Sequence, residues 1–123
     1  MFNIFRREGL TPGIEQLGPL EAFKKLISPE EGKNAVVIDV REPDEFRGKL
    51  GHIENSELIP LRLLPLKVKE LEKYKDKEII VVCHSGARSY SAAIILKRHG
   101  FASVFNLSGG MLLWKKHGLK SSL

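Results

Sequence analysis

Two short runs that contain no polar residue, Ala35-Val36-Val37-Ile38 and Ile79-Ile80-Val81-Val82, limit the folds open to this chain more than any other feature. A β-branched run of that length without polar alternation reads as a strand covered on both faces. Such strands belong to parallel sheets, whose crossover connections lay helices on either side. Amphipathic segments fill the intervals. Leu20 to Ile27 places Leu20, Phe23, Leu26 and Ile27 on one side and is expected to stop at Pro29 and Gly32. Pro43-Asp44-Glu45-Phe46 reads as a short helical segment ending at Gly48. Leu61 to Tyr74 reads as a helical region broken early by Pro65 and carried on by Val68 and Leu71. Ser89 to His99 offers Ala92, Ala93, Ile95 and Leu96 to a core, with Gly100 as its end, and Met111 to Lys116 gives a last short helix. Leu58-Ile59 and Ser103 to Leu107 read as further strands, and Gly13 to Leu17 as the least regular of them. Strands and helices in alternation predict an α/β domain with a mostly parallel sheet.

At 123 residues the chain is expected to be one domain with a core of its own. Residues 1–17 read as an N-terminal extension that takes in whatever first strand exists, its first ten residues loosely held, and 18–123 as the domain proper. The apolar start, Met1 to Phe5, is interrupted by Arg6, Arg7 and Glu8 before a signal-peptide core or a membrane span could be completed, so a cytoplasmic protein with no membrane partner is expected. A single cysteine allows no internal disulfide, which fits a reducing compartment. The chain has 20 Lys and Arg against 15 Asp and Glu, a net charge of +5. These charges are dispersed, and the densest stretch, Lys67 to Glu78, mixes both signs without aromatic residues to stack on bases. It reads as a solvated helix face, not a nucleic-acid arm. No His/Cys cluster calls for a metal, and His52, His99 and His117 read as surface or structural histidines. A monomer is expected, with a homodimer as the alternative.

Ligands of open parallel sheets bind beyond the carboxyl ends of the strands, and Cys83 follows the strand ending at Val82 directly. A cysteine in that place alone is more often a small buried hydrophobe. The segment Cys83-His84-Ser85-Gly86-Ala87-Arg88 changes the balance. Gly86 gives the backbone freedom to gather several N–H groups above the sulfur, and the helix after it points its positive end the same way. Ser85 adds a hydroxyl. Arg88 is a permanent cation able to hold an anionic substrate or the thiolate, and His84 can contribute a proton or a hydrogen bond near neutral pH. Cysteine phosphatases use a longer loop, wide enough for a tetrahedral dianion. The shorter spacer from Cys83 to Arg88 favours transfer of a single sulfur atom over a phosphoryl group.

Four segments in order complete a resemblance to the single-domain rhodaneses, which are sulfurtransferases. They are Val37-Ile38-Asp39-Val40-Arg41-Glu42 with Glu45-Phe46, Gly51-His52-Ile53 with Asn55 and Ile59-Pro60, Cys83 through Ser89, and Gly109-Gly110 with Trp114. The resemblance spans residue 18 to the end. It implies a five-stranded parallel sheet with helices on both faces and a cysteine that cycles between thiolate and persulfide without any cofactor. It implies Cys83 as the nucleophile, backbone N–H groups from His84 to Arg88 around the persulfide, Arg88 in substrate binding, and Asp39 and Arg41 as supporting residues near the loop. From the residues alone, Asp39 and Arg41 read equally well as a structural ion pair, and Trp114 reads as a core residue. Implied partners are a small anionic donor such as thiosulfate or a persulfide, and a thiol or protein acceptor. A persulfide carrier or interaction module on the same fold is the alternative, with phosphatase or arsenate-reductase chemistry behind it. Many relatives carry arginine directly after the cysteine, where this chain has His84, so the cradle has one permanent charge fewer to offer a dianion.

Overall fold

A computed structural model of the chain describes residues 12–28 and 34–123. The expectations of a loosely held start over the first ten residues and of a helix stop at Pro29 and Gly32 fall outside the described residues. In chain order the elements are β1 (Glu15–Leu17), α1 (Pro19–Ile27), β2 (Ala35–Asp39), α2 (Pro43–Phe46), β3 (Glu57–Leu58), α3 (Leu64–Lys67), β4 (Glu78–Val82), α4 (Ala87–Arg98), β5 (Ser103–Leu107) and α5 (Gly110–Lys116). Stretches of 3-10 helix, Leu61–Leu63 and Val68–Tyr74, flank α3. All five strands run parallel in one sheet ordered β1-β5-β4-β2-β3. The first strand, Glu15–Leu17, falls in the N-terminal segment 1–17, which the sequence allows to contain one.

The position of β4 at the centre of the sheet explains its composition. Ile79 and Val81 face a cluster with Leu64, Val68, Leu71, Ala92, Ala93 and Leu96, while Ile80 and Val82 face Leu17, Ala22, Met111 and Trp114. Successive strand residues point to opposite faces, so a strand with helices on both sides has no solvent-facing position for a polar residue. Full burial of each such side chain contributes about 1.5–3 kcal/mol. The region from Leu61 to Tyr74 and α4 cover one face, and α1 and α5 cover the other.

Between Leu61 and Tyr74 the backbone departs from the expected break. Pro65 does not interrupt a helix but sits in the first turn of α3, where its missing N–H has no intrahelical partner to lose. The segment after it winds as 3-10 helix, in which residues three apart eclipse one another. Val68 and Leu71 are buried and Tyr74 packs against the same cluster, a spacing of three along the chain. Helix α4 starts at Ala87, ahead of the expected Ser89, because Gly86 at φ +112° ends the loop there.

The final residues strap the segment Gly51-His52-Ile53 to α5. His52 and Ser122 exchange backbone hydrogen bonds of 2.8 Å, and the indole N–H of Trp114 donates to the Lys120 carbonyl at 3.0 Å. Trp114 is therefore a core residue with its one donor satisfied. The His52 ring stacks on Phe46 at a centroid distance of 3.7 Å, while His99 and His117 are exposed. No helix among the described residues is long and apolar enough to cross a membrane.

Two glycines with positive φ separate backbone strain from crowding. Gly118 (φ +72°) has open space where a side chain would go. At Gly110 (φ +57°) a Cβ would lie 2.5 Å from the carbonyl carbon and oxygen of His84. Gly118→Ala is expected to cost about 1 kcal/mol, the strain of the left-handed conformation alone. Gly110→Ala is expected to cost about 3 kcal/mol or more, because the loop beneath it must also shift. Urea denaturation measures both, and equal costs would show that contact with the loop contributes nothing.

Candidate active site

Cys83 leaves the carboxyl end of β4, and its loop is anchored from the side. The N–H groups of Met111 and Leu112, in the first turn of α5, donate to the carbonyls of Cys83 at 2.9 Å and His84 at 3.1 Å. Only glycine at position 110 lets α5 come that close. With those carbonyls engaged, the chain turns through Gly86 into α4 and folds its donors over the sulfur. The Gly86 N–H donates to Cys83 Sγ at 3.1 Å, and Ser89 Oγ lies 3.3 Å from the same atom. Burial of Cys83 pushes its thiol up. The Ser89 hydroxyl and the N–H groups of Ser89, Gly86 and Ser85 outweigh that effect and hold the thiol below its ordinary value.

Beneath the loop a hydrogen-bond chain runs to the sheet edge. Ser89 Oγ also contacts Asn106 Oδ1. The Asn106 amide nitrogen donates to Gln16 Oε1 at 3.1 Å and to the Gly86 carbonyl at 3.2 Å, and Ser108 Oγ donates to Gln16 Oε1 at 3.0 Å. Two acceptors on the Asn106 nitrogen fix the amide so that its oxygen faces Ser89. The single Ser89 proton then has three acceptors within reach, Asn106 Oδ1, Cys83 Sγ and the Gly86 carbonyl.

Two ion pairs complete the surroundings. Asp39 ends β2 and Arg41 lies two residues beyond it, each 1% exposed, with Nη2 2.7 Å from Oδ2. Their placement is that of a buried structural pair, and the Arg41 Nη groups also reach the carbonyls of Glu45 and Gly51. Arg88 extends from α4 to α2, where Nη1 and Nη2 meet Glu45 Oε1 and Oε2 at 2.7 and 2.8 Å. The Arg88 hydrogen bonds hold the Glu45 carboxyl down to about 2. Beside the loop, Arg41, Glu45, Gly48, Lys49, Leu50 and His84 line a cleft of about 180 Å³.

Of the residues singled out in the sequence, Cys83, His84, Ser85, Gly86 and Ala87 form one turn around the sulfur. His84 faces the cleft, and Ser85 and Ala87 are exposed. Arg88 belongs to the same turn but directs its guanidinium to Glu45. Sequence reasoning did not pick out Ser89, Asn106, Gln16 or Glu45 as site residues. Asn106 carried a usable signal, since a polar residue between Phe105 and Leu107 near the end of a mostly apolar strand is 3% exposed and must find partners. Among the described residues no group of three or more His, Cys, Asp or Glu side chains could hold a metal ion.

Loss of the Ser89 hydroxyl removes a donor to the thiolate, which is the charged form, so the thiol must rise. In Ser89→Ala the pH midpoint for alkylation of Cys83 by iodoacetamide is expected to move upward, and the rate at neutral pH to fall. Ser89→Thr, which keeps the hydroxyl, stays closer to native. An unmoved midpoint in Ser89→Ala would remove Ser89 from the activation of the sulfur.

Comparison with known proteins agrees with this geometry. Residues 21–117 match the family model for the rhodanese-like domain. A sulfurtransferase of Allochromatium vinosum is 36% identical over 87 residues, covering 71% of this chain and 78% of the relative. The thiosulfate sulfurtransferase GlpE of Stutzerimonas stutzeri is 35% identical over 96 residues, covering 74% and 84%. Among solved structures, a rhodanese-related protein from Thermoplasma volcanium superposes with a TM-score of 0.74 at 30% identity, covering 86% of this chain and 95% of that one. The matched region takes in β2 through α5 with the Cys83 loop inside it, and the chain belongs to the rhodanese-like domain family.

Proposed function

We propose that the protein is a cytoplasmic sulfurtransferase that passes a sulfane sulfur through a persulfide on Cys83. The observation that carries this reading is the sulfur itself: a lone thiol held below its ordinary value by the Gly86 N–H and the Ser89 hydroxyl, at the carboxyl end of the central strand. The names of the two relatives, sulfurtransferase and thiosulfate sulfurtransferase, support the same reaction class.

Two displacements make up the mechanism. The Cys83 thiolate attacks the outer sulfur of a donor, a bond forms between Sγ and that sulfur, and the donor's own bond to it breaks. The leaving group, sulfite from thiosulfate or a thiolate from an organic persulfide, departs with the electron pair. N–H groups of the loop from His84 to Arg88 accommodate the enlarged anion. An acceptor thiolate then attacks the outer sulfur of the persulfide and restores the Cys83 thiolate. Asp39 and Arg41 support the loop from below, and His84 borders the path through the cleft. Phosphoryl transfer is disfavoured, because the short spacer from Cys83 to Arg88 leaves too little room to enclose a phosphoryl group, whereas sulfur transfer brings only the donor's outer sulfur into the loop.

Intact-mass measurement after incubation with thiosulfate, and separately with glutathione persulfide, tests the proposal. The native protein is expected to gain one sulfur atom, Cys83→Ser none, and a small thiol to discharge the loaded form. Discharge only to a protein acceptor would mark a carrier instead of an enzyme. Equal transfer by Cys83→Ser would end the reading.

A further inference from the structure

The charges around Cys83 cancel in pairs. Arg41 is committed to Asp39 and to the carbonyls of Glu45 and Gly51. Arg88, the cation best placed by sequence to receive an anion, is held fork to fork by Glu45 at 2.7 and 2.8 Å. Glu45 is not a swinging side chain. Its Oε1 also accepts the Glu42 N–H at 3.0 Å across the start of α2, and its backbone carbonyl is gripped by Arg41. Its carboxyl, held down to about 2, remains ionised throughout the neutral range. In the adjoining cleft Lys49 makes no ion pair with another described residue, so it is the one lining cation without a described counterion.

From this arrangement we infer that Glu45 determines donor specificity: by occupying Arg88 it withholds the guanidinium from anions and steers the site toward organic hydropersulfides over dianionic thiosulfate. The inference rests on the sulfur-transfer reading of the same site. A dianion entering the cleft meets the Glu45 carboxylate and can use Arg88 only by breaking a preorganised bidentate pair, which an intramolecular carboxylate resists. A hydropersulfide attacked in its protonated form, R–S–SH, brings its outer sulfur uncharged. Cys83 Sγ⁻ attacks that sulfur, the new S–S bond forms as the R–S bond to it breaks, RS⁻ leaves with the electron pair, and the proton stays on the outer sulfur of the Cys83 persulfide. One negative charge stands on each side of the step.

Glu45→Gln tests this directly. The glutamine oxygen can keep the Glu42 cap and one hydrogen bond from Arg88 Nη1, while its amide nitrogen faces Arg88 Nη2 donor against donor, so the bidentate ion pair is reduced to a single bond to a neutral acceptor that an anion can displace. With thiosulfate and glutathione persulfide offered separately, the ratio of thiosulfate to persulfide loading, each as kcat/KM, is expected to rise about tenfold, mainly through a lower KM for thiosulfate. The double variant Glu45→Gln/Arg88→Gln, neutral at both positions like the native pair taken together, is expected to return the ratio to within about threefold of native. An unchanged ratio in Glu45→Gln, or a thiosulfate gain that survives in the double variant, overturns the inference. Should Glu45→Gln fail to fold, the native protein decides. Sulfate, an inert dianion, is expected not to compete with persulfide loading at millimolar concentration, and competitive inhibition by sulfate overturns the inference as well. Failure of both donors to load native Cys83 is a different pattern: it sinks the sulfur-transfer reading, and this inference with it.

Discussion

Arg41 is the fastener on which the carboxyl end of the sheet depends. Its Nε and Nη2 groups engage both oxygens of Asp39, Nη1 reaches the Glu45 carbonyl, and Nη2 also reaches the Gly51 carbonyl at 2.7 Å. A charge 1% exposed is tolerable only when its donors are so fully used. Removing one partner of such a pair costs about 3–5 kcal/mol, because the other charge is left buried and alone. Through these bonds one side chain ties the end of β2 to the end of α2 and to the Gly51 turn, which the final residues strap down in turn. Helix α2 is only Pro43–Phe46 and buries none of its residues, so its place depends on being held. That place is what lets Glu45 meet Arg88.

Sequence could reveal whatever a local pattern determines. The uninterrupted runs of β2 and β4 announced central strands, and a cysteine at the end of one of them, followed by Gly86 and Arg88, announced the turn around a sulfur. The Val68 and Leu71 spacing could not distinguish a 3-10 winding from an α-helix, since residues three apart share a face in both. Nor could Asp39 and Arg41 be assigned from their spacing. Burial decides between a structural pair and a substrate contact, and burial here comes from a turn more distant in sequence. The Glu45–Arg88 pair joins residues 43 apart on two different helices, and no period in either segment points to the other. Asn106 was legible in part, as a polar residue that a buried strand position must satisfy, but its partners Ser89 and Gln16 lie 17 and 90 residues away.

The sulfur is activated by dipoles more than by ions. The groups lowering its thiol are a hydroxyl and three backbone N–H groups, reinforced by the positive end of the twelve-residue helix α4. The nearby guanidinium groups each face a carboxylate. Backbone dipoles cannot be drawn away by a competing anion, and they follow the loop, which the first-turn amides of α5 hold by the carbonyls of Cys83 and His84. Thiolate stabilisation therefore depends on how α5 packs, which explains why a glycine with positive φ stands at its first residue.

Activation and recognition consequently occupy different layers of one site. Below the sulfur, Gly86 and Ser89 supply hydrogen bonds that lower the Cys83 thiol, and Asn106 holds Ser89. At the rim, on the sulfur-transfer reading proposed above, Glu45, Arg88, Lys49 and His84 set the field that a donor meets before it reaches the sulfur. A substitution in the lower layer changes the thiolate and moves all donors together. One at the rim changes the order of preference among donors and leaves the thiolate's own hydrogen bonds in place. The lower layer holds the sulfur's own hydrogen bonds and the rim holds the Glu45–Arg88 pair, so on the sulfur-transfer reading proposed above an exchange of rim residues alters donor choice without rebuilding the nucleophile.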